Sequence, residues 1–235
     1  MAPHDKVLLI TGASSGIGAA TARQALAAGW RVALLARSAD KLERLVGELT
    51  AAGAEPGRIT TTTADVAEWD ELQASVAAVD ERFGQLDAVF ANAGFGAKRG
   101  FLEETPEQWR SMVLTNVLGA ALTIRATLPA LREAQGHVVL TGSVAGRRAL
   151  PGSLYSATKF AVGAMAESLR QELNGSGARV TLLSPGMVDT PFFDSKPSIE
   201  ALHPDDVAGA VLWALEQPAR VDVNEILVRP TAQDG

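Results

Sequence analysis

One stretch of the chain carries three side chains whose types and spacing suit proton transfer. Ser143 is followed twelve residues later by the only tyrosine, Tyr155, and Lys159 lies four residues beyond it. A helix would place Tyr155 and Lys159 on one face, where the ammonium would bring the phenol pKa, ordinarily about 10, towards the range of general acid–base catalysis. Ser143 follows the apolar run 137–140 and could direct its hydroxyl at a carbonyl oxygen. The set indicates carbonyl polarisation, although the Tyr–Lys spacing alone is also typical of a helix with a solvated lysine.

A glycine-rich loop near the N-terminus lies between an apolar run and a helical pattern. Residues 6–10 read KVLLI, residues 11–18 read TGASSGIG, and an alanine-rich helical pattern continues to about residue 28. Glycines allow backbone N–H groups and a helix N-terminus to approach a phosphate closely. This framing predicts a pyrophosphate site, with a simple tight turn as the alternative. The residues predicted to contact the cofactor in this loop are Gly12, Ser14, Ser15, Gly16, Ile17 and Gly18.

The residues after the second apolar run, 31–36, address the choice of dinucleotide. In dinucleotide folds an acid at this strand end usually holds the ribose 2′-hydroxyl. Here Ala36 is followed by Arg37 and Ser38, which offer a cation and a hydroxyl to a 2′-phosphate, and Ser14 could add a further contact. We therefore expect NADP(H) as the cofactor. A solvated arginine at a strand end is the alternative.

Strand-like and helical patterns alternate along the whole chain. Seven strand-like runs lie at about 6–10, 31–36, 58–64, 86–91, 137–140, 179–183 and 225–228. The alternation predicts an α/β fold: a single domain over 1–235 with a doubly wound, Rossmann-like parallel sheet covered by helices on both faces. Ligands of such sheets bind outside the carboxyl ends of the strands. Polar or glycine residues follow these strand ends in the glycine loop and at Arg37, Asp65, Asn92, Ser143 and Pro185–Gly186.

A long helix is predicted from Pro106 towards Glu133, with Thr105 as N-cap and Gln108 at the capping-box position. Asn116 lies within this helix among aliphatic residues. It is either a satisfied core amide or a functional residue.

Composition excludes several classes of partner. The chain has 235 residues, a formal charge of -6 and no cysteine, and no basic cluster suits nucleic acid. His4, His137 and His203 lie far apart, so no metal site is expected. No uninterrupted apolar run approaches ~18 residues and no signal-peptide pattern is present, so we expect no membrane partner and a cytoplasmic location.

From about residue 6 to residue 230 the chain resembles the compact short-chain dehydrogenase/reductase family. The resemblance rests on TGASSGIG at 11–18, ANAG at 91–94, YSATK at 155–159 and PGMVDT at 185–190, together with Asp65, Asn116 and Ser143. It implies that Tyr155 is the catalytic acid or base and that Ser143 orients the substrate oxygen. It also implies that Lys159 lowers the Tyr155 pKa and holds the nicotinamide ribose, and that Asn116 anchors a water in a proton relay.

The resemblance implies further cofactor contacts. Asp65 and Val66 would flank adenine, Asn92, Ala93 and Gly94 would line the adenosine side, and Val188 and Thr190 would meet the carboxamide near Pro185 and Gly186. Arg37 resembles the NADP-preferring members of the family. The family's oligomer surfaces imply a homotetramer or homodimer.

The expected activity is NADPH-dependent reduction of a ketone or aldehyde, or the reverse. An NAD-linked alcohol or hydroxy-acid dehydrogenase and a non-catalytic nucleotide-sensing protein are the alternatives. The substrate stays open: Arg147 and Arg148 could bind an acidic group or be solvated, and an apolar pocket could be lined by Phe95, Val144, Leu150, Met187, Phe192 and Phe193.

Overall fold

Short runs of buried aliphatic residues form one seven-stranded sheet in the computed structural model, which describes residues 5–192 and 199–233. All the strand pairs are parallel, in the order β3-β2-β1-β4-β5-β6-β7. The predicted fold class is confirmed. The strands are β1 Val7–Thr11, β2 Arg31–Ala36, β3 Ile59–Thr63, β4 Ala88–Ala91, β5 His137–Thr141, β6 Arg179–Pro185 and β7 Glu225–Val228.

Helices cover both faces of the sheet because successive strand side chains point to opposite sides. Leu8 and Ile10 of β1 belong to the core under α1, α2 and α7, whereas Val7 and Leu9 belong to the core under α3, α5 and α6. Strands buried on both faces read as continuous apolar runs. The helices are α1 Gly16–Ala27, α2 Ala39–Ala51, α3 Trp69–Phe83, α4 Pro106–Val113, α5 Ala120–Glu133, α6 Leu154–Glu172 and α7 Pro204–Leu215.

The strand order reverses at β1, which pairs with β2 on one side and with β4 on the other. The connections after these strands therefore diverge and leave a crevice at their carboxyl ends. Open α/β sheets bind ligands at this position.

The predicted helix 106–133 is not one continuous α-helix. A π-helical segment, Leu114–Gly119, separates α4 from α5 and contains Asn116. Such segments are rare and are often found at functional sites. The seven strands and the end of α1 lie within about two residues of the predicted positions.

By length and composition, the stretch Pro106–Glu133 has an apolar window sufficient to cross a membrane. Its apolar residues are partly accounted for by packing within the fold, since α5 contacts α3, β4 and β5. A core helix meets the same criterion, so this is weak evidence for a membrane span.

Candidate active site

Ser143 lies just beyond the carboxyl end of β5, where the backbone turns sharply. A side chain at Gly142 would meet Leu182 and the Ser184 hydroxyl at 2.9 Å, so the strand end packs closely against β6. Ser143 caps a short 3₁₀ turn, and its Oγ accepts a hydrogen bond from the Ala145 N–H at 3.1 Å. This bond fixes the oxygen and leaves the hydroxyl proton available to another acceptor.

Tyr155 is in the first turn of α6, which the Ser153 side chain caps by accepting from the Ser156 N–H at 3.1 Å. The cap places the phenol near the Ser143 side chain. Burial raises the pKa of Tyr155 to about 12, and the interaction with the Ser143 hydroxyl opposes that rise. Tyr155 is therefore protonated at neutral pH and suits a proton donor.

Lys159 follows one turn later on α6 and is only 5% exposed. Its Nζ donates to the Thr141 carbonyl oxygen at 2.7 Å and lies 5.6 Å from the centre of the Tyr155 ring. Burial lowers the pKa of Lys159 to about 8. The predicted shared face is present, but the pKa of Tyr155 lies above rather than below its ordinary value, because burial is the largest cause. A lowering of that pKa by Lys159 stays a prediction.

Asn116 connects the π-helical segment with the loop after β4 and with α6. Its Oδ1 accepts from the Phe95 N–H at 3.0 Å, and its Nδ2 donates to the Phe95 carbonyl at 2.9 Å and to Thr158 Oγ1 at 3.2 Å. Thr158 in turn donates to the Tyr155 carbonyl at 2.7 Å. These bonds occupy the amide within the protein, so the Asn116 side chain positions α6 relative to the loop after β4. The predicted water relay stays a prediction.

The glycine loop is built by close backbone contacts. Gly12 has a φ of +64°, and a side chain there would lie 2.9 Å from the Ala93 Cα. A side chain at Gly18 would lie 2.4 Å from the Gly12 carbonyl oxygen, so the first turn of α1 rests directly on the loop. Only glycine fits these positions.

The start of α1 has the properties of an anion site. Ser15, the N-cap, makes no side-chain capping bond, and the first turn, which begins at Gly16 and Ile17, contains no acidic residue. The N–H groups and dipole of this helix end are thus available for a phosphate. Ser14 lies beside them on the loop. The residues present therefore fit the pyrophosphate of a dinucleotide.

Arg37 and Ser38 follow β2 and lie at the surface end of this crevice. Arg37 is 64% exposed, and its guanidinium lies 3.8 Å from the Asp65 carboxylate, a surface pair that contributes little to stability. Ser38 is the N-cap of α2 but makes no capping bond. Val66 is buried against Gly119 of the π-helical segment, where a side chain would lie 2.6 Å from a Val66 methyl. Contacts of Asp65 and Val66 with adenine stay predictions.

Asn92, Ala93 and Gly94 connect β4 to the glycine loop. Thr11 Oγ1 accepts from the N–H groups of Asn92 and Ala93 at 3.0 and 3.1 Å, and Asn92 Nδ2 donates to the Thr11 carbonyl at 3.1 Å. A side chain at Gly94 would lie 3.0 Å from Asn116 Oδ1. This segment thus holds the two sides of the crevice together, and Thr11 is a contributor that the sequence prediction missed.

The segment after β6 returns over the crevice. The Gly186 backbone lies against Pro230 and Gln233, and Gln233 Oε1 accepts from the Met187 N–H at 2.9 Å. Glycine at 186 is therefore explained by packing, and any cofactor contact of Pro185 or Gly186 stays a prediction. Val188 is buried and pairs with Leu202.

Thr190 and Phe192 carry this segment across the site. The Thr190 methyl lies 3.2 Å from the position of a side chain at Gly16, and the Phe192 ring is packed edge-on against Tyr155. Phe193, another predicted pocket residue, lies outside the described residues.

Arg147 donates from Nε to Glu225 Oε1 at 2.6 Å, so it is held by an acid of β7 rather than simply solvated. Within 5–192 and 199–233, no group of three or more His, Asp or Glu side chains could hold a metal ion.

Comparison with known proteins agrees with this geometry. The family model described as short chain dehydrogenase matches residues 6–200. An uncharacterized oxidoreductase of Staphylococcus saprophyticus is 37% identical over 231 residues, covering 97% of this chain and 98% of the relative. An alcohol dehydrogenase of Thermococcus sibiricus, complexed with 5-hydroxy-NADP, superposes with a TM-score of 0.90 at 36% identity, covering 98% of each chain. A serine dehydrogenase complexed with NADP+ superposes with a TM-score of 0.90 at 28% identity, covering 97% of this chain and 96% of that one.

The fold and the Ser–Tyr–Lys arrangement define a nucleotide-binding oxidoreductase. The chain belongs to the short-chain dehydrogenase/reductase family, whose enzymes act on small molecules.

Proposed function

We propose that the protein is an NADPH-dependent reductase that converts a ketone or aldehyde into an alcohol, and that it also catalyses the reverse reaction. The observation that carries the proposal is the neighbouring Ser143 and Tyr155 side chains at the carboxyl edge of the sheet, with the buried Lys159 ammonium 5.6 Å from the centre of the tyrosine ring. Two neighbouring hydroxyls at this place suit the oxygen of a carbonyl group, which accepts hydrogen bonds and must gain a proton on reduction.

In the reductive direction the carbonyl carbon gains a hydride and its oxygen gains a proton. The bound dinucleotide supplies the hydride. Ser143, held by the Ala145 N–H, orients and polarises the oxygen. Tyr155 donates its proton to that oxygen as negative charge develops on it, which agrees with a phenol pKa of about 12. Lys159 is proposed to hold the nicotinamide ribose and to favour the tyrosinate left after proton donation.

The N-terminus of α1 would hold the pyrophosphate, because its N–H groups are available and its first turn is free of acid. Arg37 and Ser38, with Ser14 nearby, would bind a 2′-phosphate. NADP in the two structural relatives described above supports this preference. Asp65, Val66, Asn92, Ala93, Gly94, Pro185, Gly186, Val188 and Thr190 are proposed to line the rest of the cofactor.

The test is oxidation of NADPH and of NADH by the purified protein with a panel of ketones, aldehydes and β-keto esters. We expect turnover with NADPH and a much weaker response with NADH. Arg37→Asp should weaken the binding of NADPH strongly and that of NADH much less. Arg44→Asp, on the exposed side of α2, is the matched charge control. Turnover with NADH at least as high as with NADPH would overturn the cofactor assignment. NADPH binding without turnover across the panel would favour the nucleotide-sensing alternative.

We also propose assembly as a homotetramer or homodimer. Exposed apolar side chains support contacts between copies. Val113, Leu114, Leu118 and Phe160 lie on α4, the π-helical segment and α6, and Trp213 and Leu227 lie on α7 and β7. Light scattering showing a monomer at micromolar concentration would contradict this. The cytoplasmic location also stays a proposal.

A further inference from the structure

Phe192 lies where the segment after β6 meets the catalytic tyrosine. Its ring centre is 5.6 Å from that of Tyr155 with an interplanar angle of 64°, an edge-to-face contact. Such contacts stabilise a defined arrangement beyond the apolar area they bury. Phe192 remains 38% exposed, so part of its surface can meet a substrate.

The ring occupies space that a side chain at Gly96 would otherwise fill. A Cβ built on Gly96 would lie 2.8 Å and 2.9 Å from two carbons at the edge of the Phe192 ring. Gly96 does not have a positive φ, so its backbone conformation would accept an L-residue. A side chain at position 96 would therefore force the end of the Phe192 ring to shift, whereas the turn itself does not require glycine.

Gly96 is held at a fixed position relative to Tyr155. Its neighbour Phe95 is bonded through both N–H and C=O to the Asn116 amide, which reaches Tyr155 through Thr158. The Phe192 side of the contact is held by Thr190, whose Oγ1 accepts from the Phe192 N–H at 3.3 Å. The Phe192 ring therefore lies between Gly96 and the Tyr155 ring, directly beside the proposed proton donor.

We propose that Phe192, seated on Gly96, is the specificity-determining residue of this active site: its ring forms an apolar wall beside Tyr155 that admits carbonyl compounds with a small or flat substituent on that side and excludes bulky ones. The inference rests on the proposed carbonyl reduction. It names the feature of the substrate that the enzyme selects, while the chemical step and the cofactor are unchanged.

The first experiment compares kcat/KM for acetophenone, propiophenone and isobutyrophenone, in which one substituent of the carbonyl grows stepwise. Phe192→Ala should raise the ratio of isobutyrophenone to acetophenone by about tenfold or more, the order of discrimination that one or two methylene groups give in an apolar pocket. The Kd for NADPH should be unchanged. Phe101→Ala is the matched control, because Phe101 is 65% exposed and its ring packs on Trp109 rather than on Tyr155.

The second experiment tests whether Gly96 sets the position of the Phe192 ring. Gly96→Ala should displace the ring and raise the same ratio in the wild-type background, but should have little further effect in the Phe192→Ala background. Two residues that act through one contact give non-additive effects of this kind. Thermal unfolding of each variant checks that the fold is retained.

The outcomes separate this inference from the proposed function. Suppose that the wild type reduces acetophenone and that Phe192→Ala leaves the isobutyrophenone-to-acetophenone ratio of kcat/KM unchanged. This result would refute the role of Phe192 in substrate selection but would leave the proposed carbonyl reduction intact. Additive effects of Gly96→Ala and Phe192→Ala on this ratio would refute the claim that Gly96 acts through the position of the Phe192 ring. A wild type that reduces none of the panel of carbonyl compounds would overturn the proposed function and this inference with it.

Discussion

The two edges of the sheet each bury a basic side chain, but they satisfy it differently. At the amino edge, Arg179 is 9% exposed and donates to three carbonyl oxygens, those of Leu215, Gln217 and Val221. At the carboxyl edge, Lys159 is 5% exposed and donates to the carbonyl of Thr141 alone among the residues described. An ammonium has three donors, so Lys159 keeps capacity for another group. The comparison teaches that the fold holds the cation at the amino edge through several carbonyl oxygens, whereas the cation at the carboxyl edge keeps most of its donors for a further group.

The amino edge also buries His137, which pairs in register with Arg179 on β6. Thr181 Oγ1 donates to the Val223 carbonyl, so His137 Nε2, 2.8 Å away, must donate to Thr181. Its Nδ1 is buried without a hydrogen-bond partner. Burial, together with Arg179 and Lys6, lowers the pKa of His137 to about 3. This edge therefore serves stability, and changes at the two edges should separate activity from folding.

The largest effect should come from Tyr155→Phe at the carboxyl edge. It retains the ring and its contact with Phe192 but removes the proton, so kcat should fall by about 10²- to 10⁴-fold. The Kd for NADPH, measured by fluorescence titration, should stay close to the wild-type value because the proposed phosphate site is the glycine loop and Arg37. Near-native carbonyl reduction by this variant would contradict the mechanism.

Lys159→Met should also lower kcat/KM, by about 100-fold, and should weaken the binding of NADPH as well. Its effect on folding should be opposite to that of an ordinary core mutation. Burial lowers the pKa of Lys159 to about 8, so the charge is costly at pH 7, and an apolar side chain of similar length removes that cost. We expect a free energy of unfolding equal to or above that of the wild type, measured by urea denaturation. A marked loss of stability would mean that Lys159 is structural.

Arg179→Met should have the opposite pattern, a loss of stability with little loss of activity. Removing the guanidinium leaves buried carbonyl oxygens at the end of α7 without donors, and the free energy of unfolding should fall by about 3 kcal/mol. The folded enzyme should keep a kcat/KM within about twofold of the wild type, because the change lies at the edge away from Tyr155. Arg179→Lys is the control: it restores the charge but not the fork of donors, and should be intermediate in stability. Loss of activity without loss of stability would break the comparison.

The smallest effect is the pH dependence contributed by His137. Its folded pKa of about 3 lies below the unfolded value of 6.5, so between these values the unfolded state binds a proton that the folded state does not. Stability should therefore be full above pH 6.5 and fall below it by about 1.4 kcal/mol per pH unit. His137→Gln keeps a donor for Thr181 and should remove this part of the slope, measured as the wild-type minus variant difference in unfolding free energy from pH 7 to pH 5. Identical slopes of unfolding free energy against pH in the two proteins would refute the assignment of this pH dependence to His137.

The elements of the fold were accessible from the sequence because parallel strands are buried on both faces and so appear as short apolar runs between helical patterns. The π-helical segment was not accessible, because the hydrogen bonds of Asn116 to Phe95 and Thr158 join residues 21 and 42 positions away. Spacing alone also suggested that Lys159 lowers the Tyr155 pKa. The depth of burial, which reverses the direction of that shift, depends on how the loop after β6 packs.

By itself the sequence determined the kind of protein: a glycine loop after a strand, Arg37 where an acid would stand, and Ser143, Tyr155 and Lys159 in order. Each of these depends on local spacing, which a helix or strand end converts directly into position. Only the tertiary structure decided that Arg147 is paired with Glu225, that Arg179 donates to three carbonyl oxygens and Lys159 to one, and that Phe192 rests on Gly96 beside Tyr155. These contacts join residues far apart in the chain, and their geometry depends on packing of the whole sheet edge rather than on any local pattern.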